Sequence, residues 1–276
     1  MTELPRAPSL AQTLAGLAML AQKTAQTKLT YRLATVVSLL ASGFAYCVFL
    51  LVWQEVYRHN AHPGPLTRDQ MMAYLVVAFL VNAVLTLSVE FRFLQRVRMG
   101  LVVGDLIRPV AFVFFQLAQA FGDVLGNLLY ALPIYLVGFW FVGSALLPAS
   151  ALTLALGFLS LGLAFLVGFG LSYLIVQASF VLQSGYGVFF ARAALHQVFS
   201  GLSAPLVMFP LGLYRVAYWL PFRHEIETPA RIWLGQAALR EVPVMLLAQA
   251  AWGVGLIVVG DLIFHAVIRR HQVQGG

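Results

Sequence analysis

Charge is scarce in this sequence. Only 10% of its 276 residues are Asp, Glu, Lys or Arg, and 61% are hydrophobic. Soluble domains carry roughly 25% charged residues, so lipid has replaced water as the main solvent here. The only lysines are Lys23 and Lys28, which follow glutamine and threonine. A phosphate-binding P-loop needs Gly-Lys-Ser/Thr, so if ATP is used another polypeptide must bind it. The single cysteine, Cys47, lies in an apolar run. It permits no intrachain disulfide and builds no metal site alone. HExxH and paired-Cys patterns are absent, which argues against zinc. A haem bundle wants facing histidines at membrane depth, yet His59, His62, His224 and His271 fall in loops or the tail, leaving His196 and His265. No pair of catalytic side chains converges at one depth, which disfavours an intramembrane enzyme. The expected chain binds no cofactor and no metal, and has no catalytic residues.

What is present is apolar sequence in continuous, non-alternating runs, which excludes an outer-membrane barrel and indicates an all-α, polytopic membrane protein. The formal charge of +7 does not point to nucleic acid, because the basic residues cluster beside span ends, where they orient the chain and meet anionic headgroups. Residues 1–30 hold Glu3 and Arg6 and no compact apolar core, so no cleavable leader is expected. Residues 8–28 read instead as an interfacial helix, with Ser9 as N-cap and Leu10, Leu14, Leu17 and Ala21 at helical spacing.

Six spans are expected. The first runs from Leu33 to Trp53, anchored by Trp53 and Tyr57, and the second from Met71 to Ser88 after a Pro63-Gly64-Pro65 loop. The third lies within Val110 to Val142, a run longer than a bilayer needs. Asp123 and Asn127 place its first part at or below the interface. The fourth occupies Ala149 to Leu182, where Ser160, Ala164, Gly168 and Ser172 form a small-residue stripe suited to close helix packing. The sixth runs from Val242 to Ile268 and ends at Arg269-Arg270; Asp261 and His265 sit on it at i, i+4. With the N-terminus inside, eleven basic residues fall on inner segments and six on outer ones, which favours both termini in the cytoplasm.

The stretch from Ala194 to Glu241 departs from this regularity. Its apolar run is about as long as a minimal span and is interrupted by Gly201, Pro205 and Pro210. A short apolar turn, LGLYRVAYWL, follows, then Pro221-Phe222 and the polar RHEIETPAR. Non-helical backbone at membrane depth survives only under protein or beside a watery cavity, so this is a candidate pathway or gate element. A kinked span followed by an amphipathic surface helix fits the same letters. Phe209, Tyr214, Tyr218, Trp219 and Phe222 suit either a hydrophobic gate or an interfacial aromatic belt.

Two stretches carry a resemblance. Gly104-Asp105-Leu106-Ile107-Arg108-Pro109 resembles the "G-(x)-L-x-R-P" signature, and GLSAPLVMFPLGLYRVAYWLPFRHEIETPARIWLG resembles the "sG-x-x-xPl-x-x-fP … lPf-x-x-x-x-x-P-x-x-x-x-G" signature. Both belong to membrane subunits of type-2 ATP-binding-cassette (ABC) exporters. The likeness is greatest to the bacterial subgroup that often pairs two different permeases with one ATPase. The resemblance implies an N-terminal interfacial helix over 1–30 and a six-span transmembrane domain over 31–276 in the bacterial cytoplasmic membrane. It implies a cytoplasmic coupling segment over 90–108, carried by Glu90, Arg92, Arg96, Arg98, Gly104, Asp105, Arg108 and Pro109, although it assigns Asp105 no role of its own. It implies a re-entrant outer hairpin over 211–235. The gate residues would be Gly201, Pro205, Phe209, Pro210, Tyr214, Trp219, Pro221, Phe222, Pro229 and Gly235. The implied partners are two copies of an ATPase subunit carrying ATP and Mg, a second permease (identical or distinct) and membrane lipid, with no nucleic acid. A proton-coupled transporter using Asp123 or Asp261, and a non-transporting scaffold or lipid-binding protein, stay open beside it.

Overall fold

The structure is a computed structural model that describes residues 9–274 apart from 31, 61–62, 102, 107, 109 and 182–184. Pro109, Glu3, Arg6 and Gln183 therefore lie outside the described residues. Among the described residues there are helices and no strands. In chain order they are α1 (Leu10–Thr30), α2 (Arg32–His59), α3 (Arg68–Leu85), α4 (Val89–Arg98), α5 (Val103–Leu106), α6 (Phe112–Val142), α7 (Ala151–Val181), α8 (Tyr186–Phe199), α9 (Leu211–Trp219), α10 (Glu227–Trp233) and α11 (Val242–Gln274). Short 3₁₀ turns at Leu206–Met208 and Pro221–His224 join the pieces around α9.

Among the described residues five segments are long and apolar enough to cross a membrane: Val36–His59, Arg68–Arg98, Phe112–Leu129, Ala151–Ser179 and Val242–Arg269. The interrupted run yields α8, whose 14 residues rise only about 21 Å, short of a hydrocarbon core of roughly 30 Å. Its continuation is the broken path through the 3₁₀ turns, α9 and α10. The sequence explains the break. Gly201 adopts φ +85°, and a Cβ there would fall 2.5 Å from Tyr74 Oη, so only glycine fits. Pro205 and Pro210 then stand as N-caps of the next two helical pieces.

The interior is organised by α3 and α7. The start of α3 is fixed by a capping box, in which Gln70 N–H donates to Thr67 Oγ1 and Thr67 N–H donates to Gln70 Oε1. Nearly every residue from Met71 to Val81 is buried, between α6, α2 and α10. Helices α7 and α11 pack as a close parallel pair because glycines remove side chains at their contacts. A Cβ at Gly170 would lie 2.6 Å from Leu256 Cβ, and one at Gly260 would lie 2.6 Å from Tyr173 Cδ1. The small-residue stripe on α7 does two further jobs. Ser160 Oγ donates to Gln249 Oε1 on α11 (2.8 Å), and Gly168 lies where a Cβ would be 3.3 Å from the Glu225 carboxylate.

Helix α1 lies along α6, where Gly122 and Gly126 face Ala21, Thr24, Ala25 and Lys28. By contrast α2 leaves most of its surface bare, with Leu33, Leu40, Phe44 and Leu51 all more than 60% exposed. Helix α8 likewise buries none of its own residues.

Candidate coupling and gating site

The expected coupling segment folds as an elbow of α4 and α5. Its charges divide sharply by what they face. Glu90 is buried and Arg92, Arg96 and Asp105 turn inward, whereas Arg98 and Arg108 are exposed. Asp105 is the pivot of the elbow. The Arg96 fork donates through Nε to Oδ2 and through Nη2 to Oδ1 (2.9 Å), and Arg108 Nη2 lies 3.5 Å from Oδ1. Arg96 Nη2 also donates to Leu101 O across the turn at Gly100, whose φ is +70°. A bidentate guanidinium–carboxylate pair of this kind fixes orientation as well as attracting. The guanidinium of Arg108 continues onto the Phe115 ring of α6, 4.4 Å from its centroid. Asp105, to which the resemblance assigned no role, thus locks α5 to α4.

The root of α4 is held by α6. Asp123 accepts Ser88 N–H at 2.9 Å, the first orphan donor of α4, and Arg92 Nη1 at 2.7 Å. Asn127 donates to Val84 O (3.0 Å) and Thr86 O (2.8 Å), carbonyls at the end of α3. Lys28 from α1 donates to Asn127 Oδ1 and lies 4.0 Å from Asp123 Oδ1. Burial holds the Lys28 ammonium below the ordinary lysine value, with Asp123 opposing that shift and Arg92 adding to it. The two polar residues that looked costly inside span three are therefore the sockets for α3, α4 and α1.

From Glu90 the charges continue across the molecule. Arg192 on α8 places Nη1 3.0 Å from Glu90 Oε1 and Nη2 3.0 Å from Glu225 Oε2. His196, one turn on, joins Glu225 Oε1 (3.1 Å) to Asn82 Oδ1 of α3 (3.3 Å). One guanidinium therefore bridges the α4–α5 elbow and the base of the hairpin. Both acids are less than a tenth exposed, so each needs its cation.

The hairpin itself is unequal. Every residue from Pro221 to Ala230 is buried, while α9 before it is largely exposed. The base is pinned by Gln249, whose Nε2 donates to His224 O (2.9 Å), by His224 Nδ1 at 3.1 Å from Thr228 Oγ1, and by Glu227 N–H donating to Ser200 O (3.0 Å). Tyr74 Oη donates to Gly201 O (2.8 Å), which fastens the entry to α3. The candidate gate residues lie in several places. Phe222 packs with Val167, Leu171 and Leu256, and Phe209 packs with Met71 and Ala204. Tyr214 is half-buried, Pro205 and Pro229 are buried, Pro210 is exposed, and Trp219 is 76% exposed. Gly235 ends α10 with φ +64°. Arg223 stacks on Tyr218, 4.4 Å from the ring centroid.

A family model described as ABC-2 family transporter protein matches residues 43–275. The chain belongs to that family. It is a multi-pass membrane protein and a permease of an ABC transporter, and membership implies partnership with an ABC ATPase. The matched stretch begins within α2 and takes in the elbow, α8, the hairpin and α11; α1 precedes it. No curated protein matches the chain.

The resemblance named Glu90, Arg92, Arg96, Arg98, Gly104, Asp105, Arg108 and Pro109 as one coupling segment, and left Arg192, His196, Glu225 and Asn82 out of it. The available signal was thermodynamic. Arg192, His196 and Asn82 lie beside or within apolar runs where an unsatisfied polar group is costly, so partners were to be sought among the other isolated charges. Asp261 and His265, set at i, i+4 on the sixth span, lie 3.4 Å apart on α11 and are both more than a third exposed. Among the described residues no group of His, Cys, Asp and Glu is arranged to hold a metal ion.

Proposed function

We propose that this permease is one membrane half of an ATP-driven exporter of the type-2 class in a bacterial cytoplasmic membrane. It pairs there with a second permease, identical or distinct, above two ATPase subunits that bind ATP and Mg. Both termini face the cytoplasm, and α8 with the broken path after it serves as the fifth of six spans. The α4–α5 elbow is the coupling segment that rests on the ATPase. Residues 211–235 are the re-entrant hairpin that closes the outer end of the pathway. The observation that carries this reading is Arg192, placed 3.0 Å from a carboxylate of the elbow helix and 3.0 Å from a carboxylate of the hairpin base. A displacement of α4 by the ATPase is transmitted to the hairpin through one rigid planar cation. ATP supplies differential binding energy for one of two states, and the bridge communicates which state the elbow is in.

Glu90→Gln tests the reading, because it weakens the bridge to α4 and leaves the Arg192–Glu225 pair in place. In a Cys47→Ser, Trp219→Cys background, maleimide labelling of the exposed hairpin arm reports its movement. The intact bridge should give an ATP-dependent labelling rate. Glu90→Gln should retain the ATPase at normal stoichiometry and lose that dependence. An unchanged ATP response in Glu90→Gln would overturn the coupling route.

A further inference from the structure

A cavity of about 480 Å³ opens beside the charged network, between α2, α3, α6 and the end of α8. That volume falls in the range that holds a drug-sized ligand, roughly 300–1,000 Å³. Its lining is graded along the helices. On α2, Ser38, Ser42, Tyr46 and Phe49 line it; their spacings of four, four and three residues put them on one helical face. On α3, Thr86, Asn82 and Phe79 line it in the same order. Both helices therefore pass from hydroxyl and amide groups to aromatic rings as they leave the α4 end. Ser38 to Phe49 measures about 16 Å along a helix.

Lys28 and Asn127 stand at the polar end, and among the described residues the lining includes this one cation and no acid. Just behind it Asp123 faces two cations, Arg92 at 2.7 Å and Lys28 itself at 4.0 Å. At the aromatic end, Tyr46 is only 4% exposed, and its hydroxyl has no hydrogen-bond partner among the described residues. Its ring packs on Phe79, 5.1 Å between centroids, so the ring is held while the hydroxyl is left wanting. An unsatisfied buried hydroxyl is costly unless something completes it. Lys28, Ser38 and Ser42 all precede residue 43, where the family match begins.

We infer that this cavity is a binding site for an anionic amphiphile. The acidic head lies against Lys28, Asn127 and the α2 serines, and the apolar tail runs along Phe49 and Phe79 with the Tyr46 hydroxyl reaching a polar atom of the ligand. A phosphate or carboxylate head fits the charge. A lipid-derived chain and a water-soluble organic anion with an apolar tail share this chemistry. The site deepens the proposed export function by naming a ligand class, but binding here requires no ATPase and no intact Arg192 bridge. A failed coupling experiment and a failed binding experiment are thus separable.

The test uses the full chain in phosphatidylcholine nanodiscs, photolabelled with a diazirine-bearing palmitate and, in parallel, with the matching diazirine alcohol. Peptide mapping should place the acid probe on the segments containing residues 38–49 and 79–86, with at least about tenfold preference over the alcohol. Lys28→Gln should reduce that labelling about tenfold, and Lys28→Arg should restore most of it. Tyr46→Phe keeps the ring contact and should weaken labelling about threefold with unchanged thermal stability. Competition by lysophosphatidate preloaded into the disc assigns the site to membrane-derived ligands; competition by octyl phosphate added from water assigns it to soluble ones. Equal labelling by acid and alcohol, labelling unaffected by Lys28→Gln, or competition by neither compound would overturn the inference.

Discussion

Two acidic pivots, Asp105 and Glu225, do similar geometric work in different surroundings. Each receives a charged partner from a neighbouring helix and fixes a bend in the chain. At the elbow the cations keep contact with solvent: Arg96, though turned inward, is 34% exposed and Arg108 46%, and Asp105 alone is buried. In the interior Arg192 is 19% exposed and faces two buried carboxylates, while His196 is 18% exposed. Water can replace a lost partner at the elbow. It has little access to the interior network, so the cost of breaking a pair there is set by the uncompensated charge left behind. The elbow is therefore the more weakly held of the two joints, and the interior network the more strongly held.

The comparison is broken most severely at Arg192. Arg192→Ala leaves Glu90 and Glu225 facing each other's field without the shared cation, and should cost about 3–5 kcal/mol. The measurement is thermal unfolding of the purified chain in nanodiscs, where a large drop in midpoint or loss of a folded species is expected. Arg192→Lys should be intermediate, because an ammonium keeps the charge but cannot present a planar fork to two acids. If Arg192→Ala unfolds at the wild-type temperature, the interior network is no more than a surface pair.

A smaller effect is expected at the elbow. Asp105→Ala removes the acceptor of the Arg96 fork and the contact to Arg108, but both arginines turn to water. The expected cost is about 1–2 kcal/mol, discounted for their exposure. The same variant should speed proteolysis between Arg98 and Leu106 while leaving the hairpin protected, since the turn at Gly100 loses its brace. Loss of protection at the hairpin to the same degree would erase the distinction between the two pivots.

How much of this was legible in the letters depends on the range of the interaction. The membrane class and the family were legible, because composition, apolar run lengths and two local signatures carry them. The break after α8 was legible too, because Gly201, Pro205 and Pro210 constrain the backbone where they stand. The pairings were not. Arg192 meets Glu90 across about a hundred residues and Glu225 across 33, and no spacing rule links positions that far apart. Asp105 shows the opposite failure: its partners are nine and three residues away. The turn at Gly100 and the short α5 place it between them, in a geometry that helical periodicity does not describe. The α7 stripe was legible as a packing surface, but the letters did not show that Gly168 there leaves room for a carboxylate.

The finest separation comes from Arg98, which is exposed at the end of α4 with no ion pair to a described residue. The resemblance placed it with Arg96 in the coupling segment, yet the two predict different outcomes. Arg96→Glu would confront Asp105 with a second carboxylate and loosen the elbow, so reduced ATPase binding in that variant has two explanations. Arg98→Glu changes a solvent-facing charge and should alter stability by no more than about 0.5 kcal/mol. If the elbow docks on an acidic groove of the ATPase, Arg98→Glu should reverse a favourable rim charge, slow association and raise its salt dependence. Surface-immobilised permease titrated with its ATPase at low and high salt reads this directly. A clear loss at low salt that fades at high salt places Arg98 at the docking surface. Identical binding at both salt levels removes it from that surface and leaves the elbow's contact to its apolar face, where Phe91, Met99 and Leu101 are exposed.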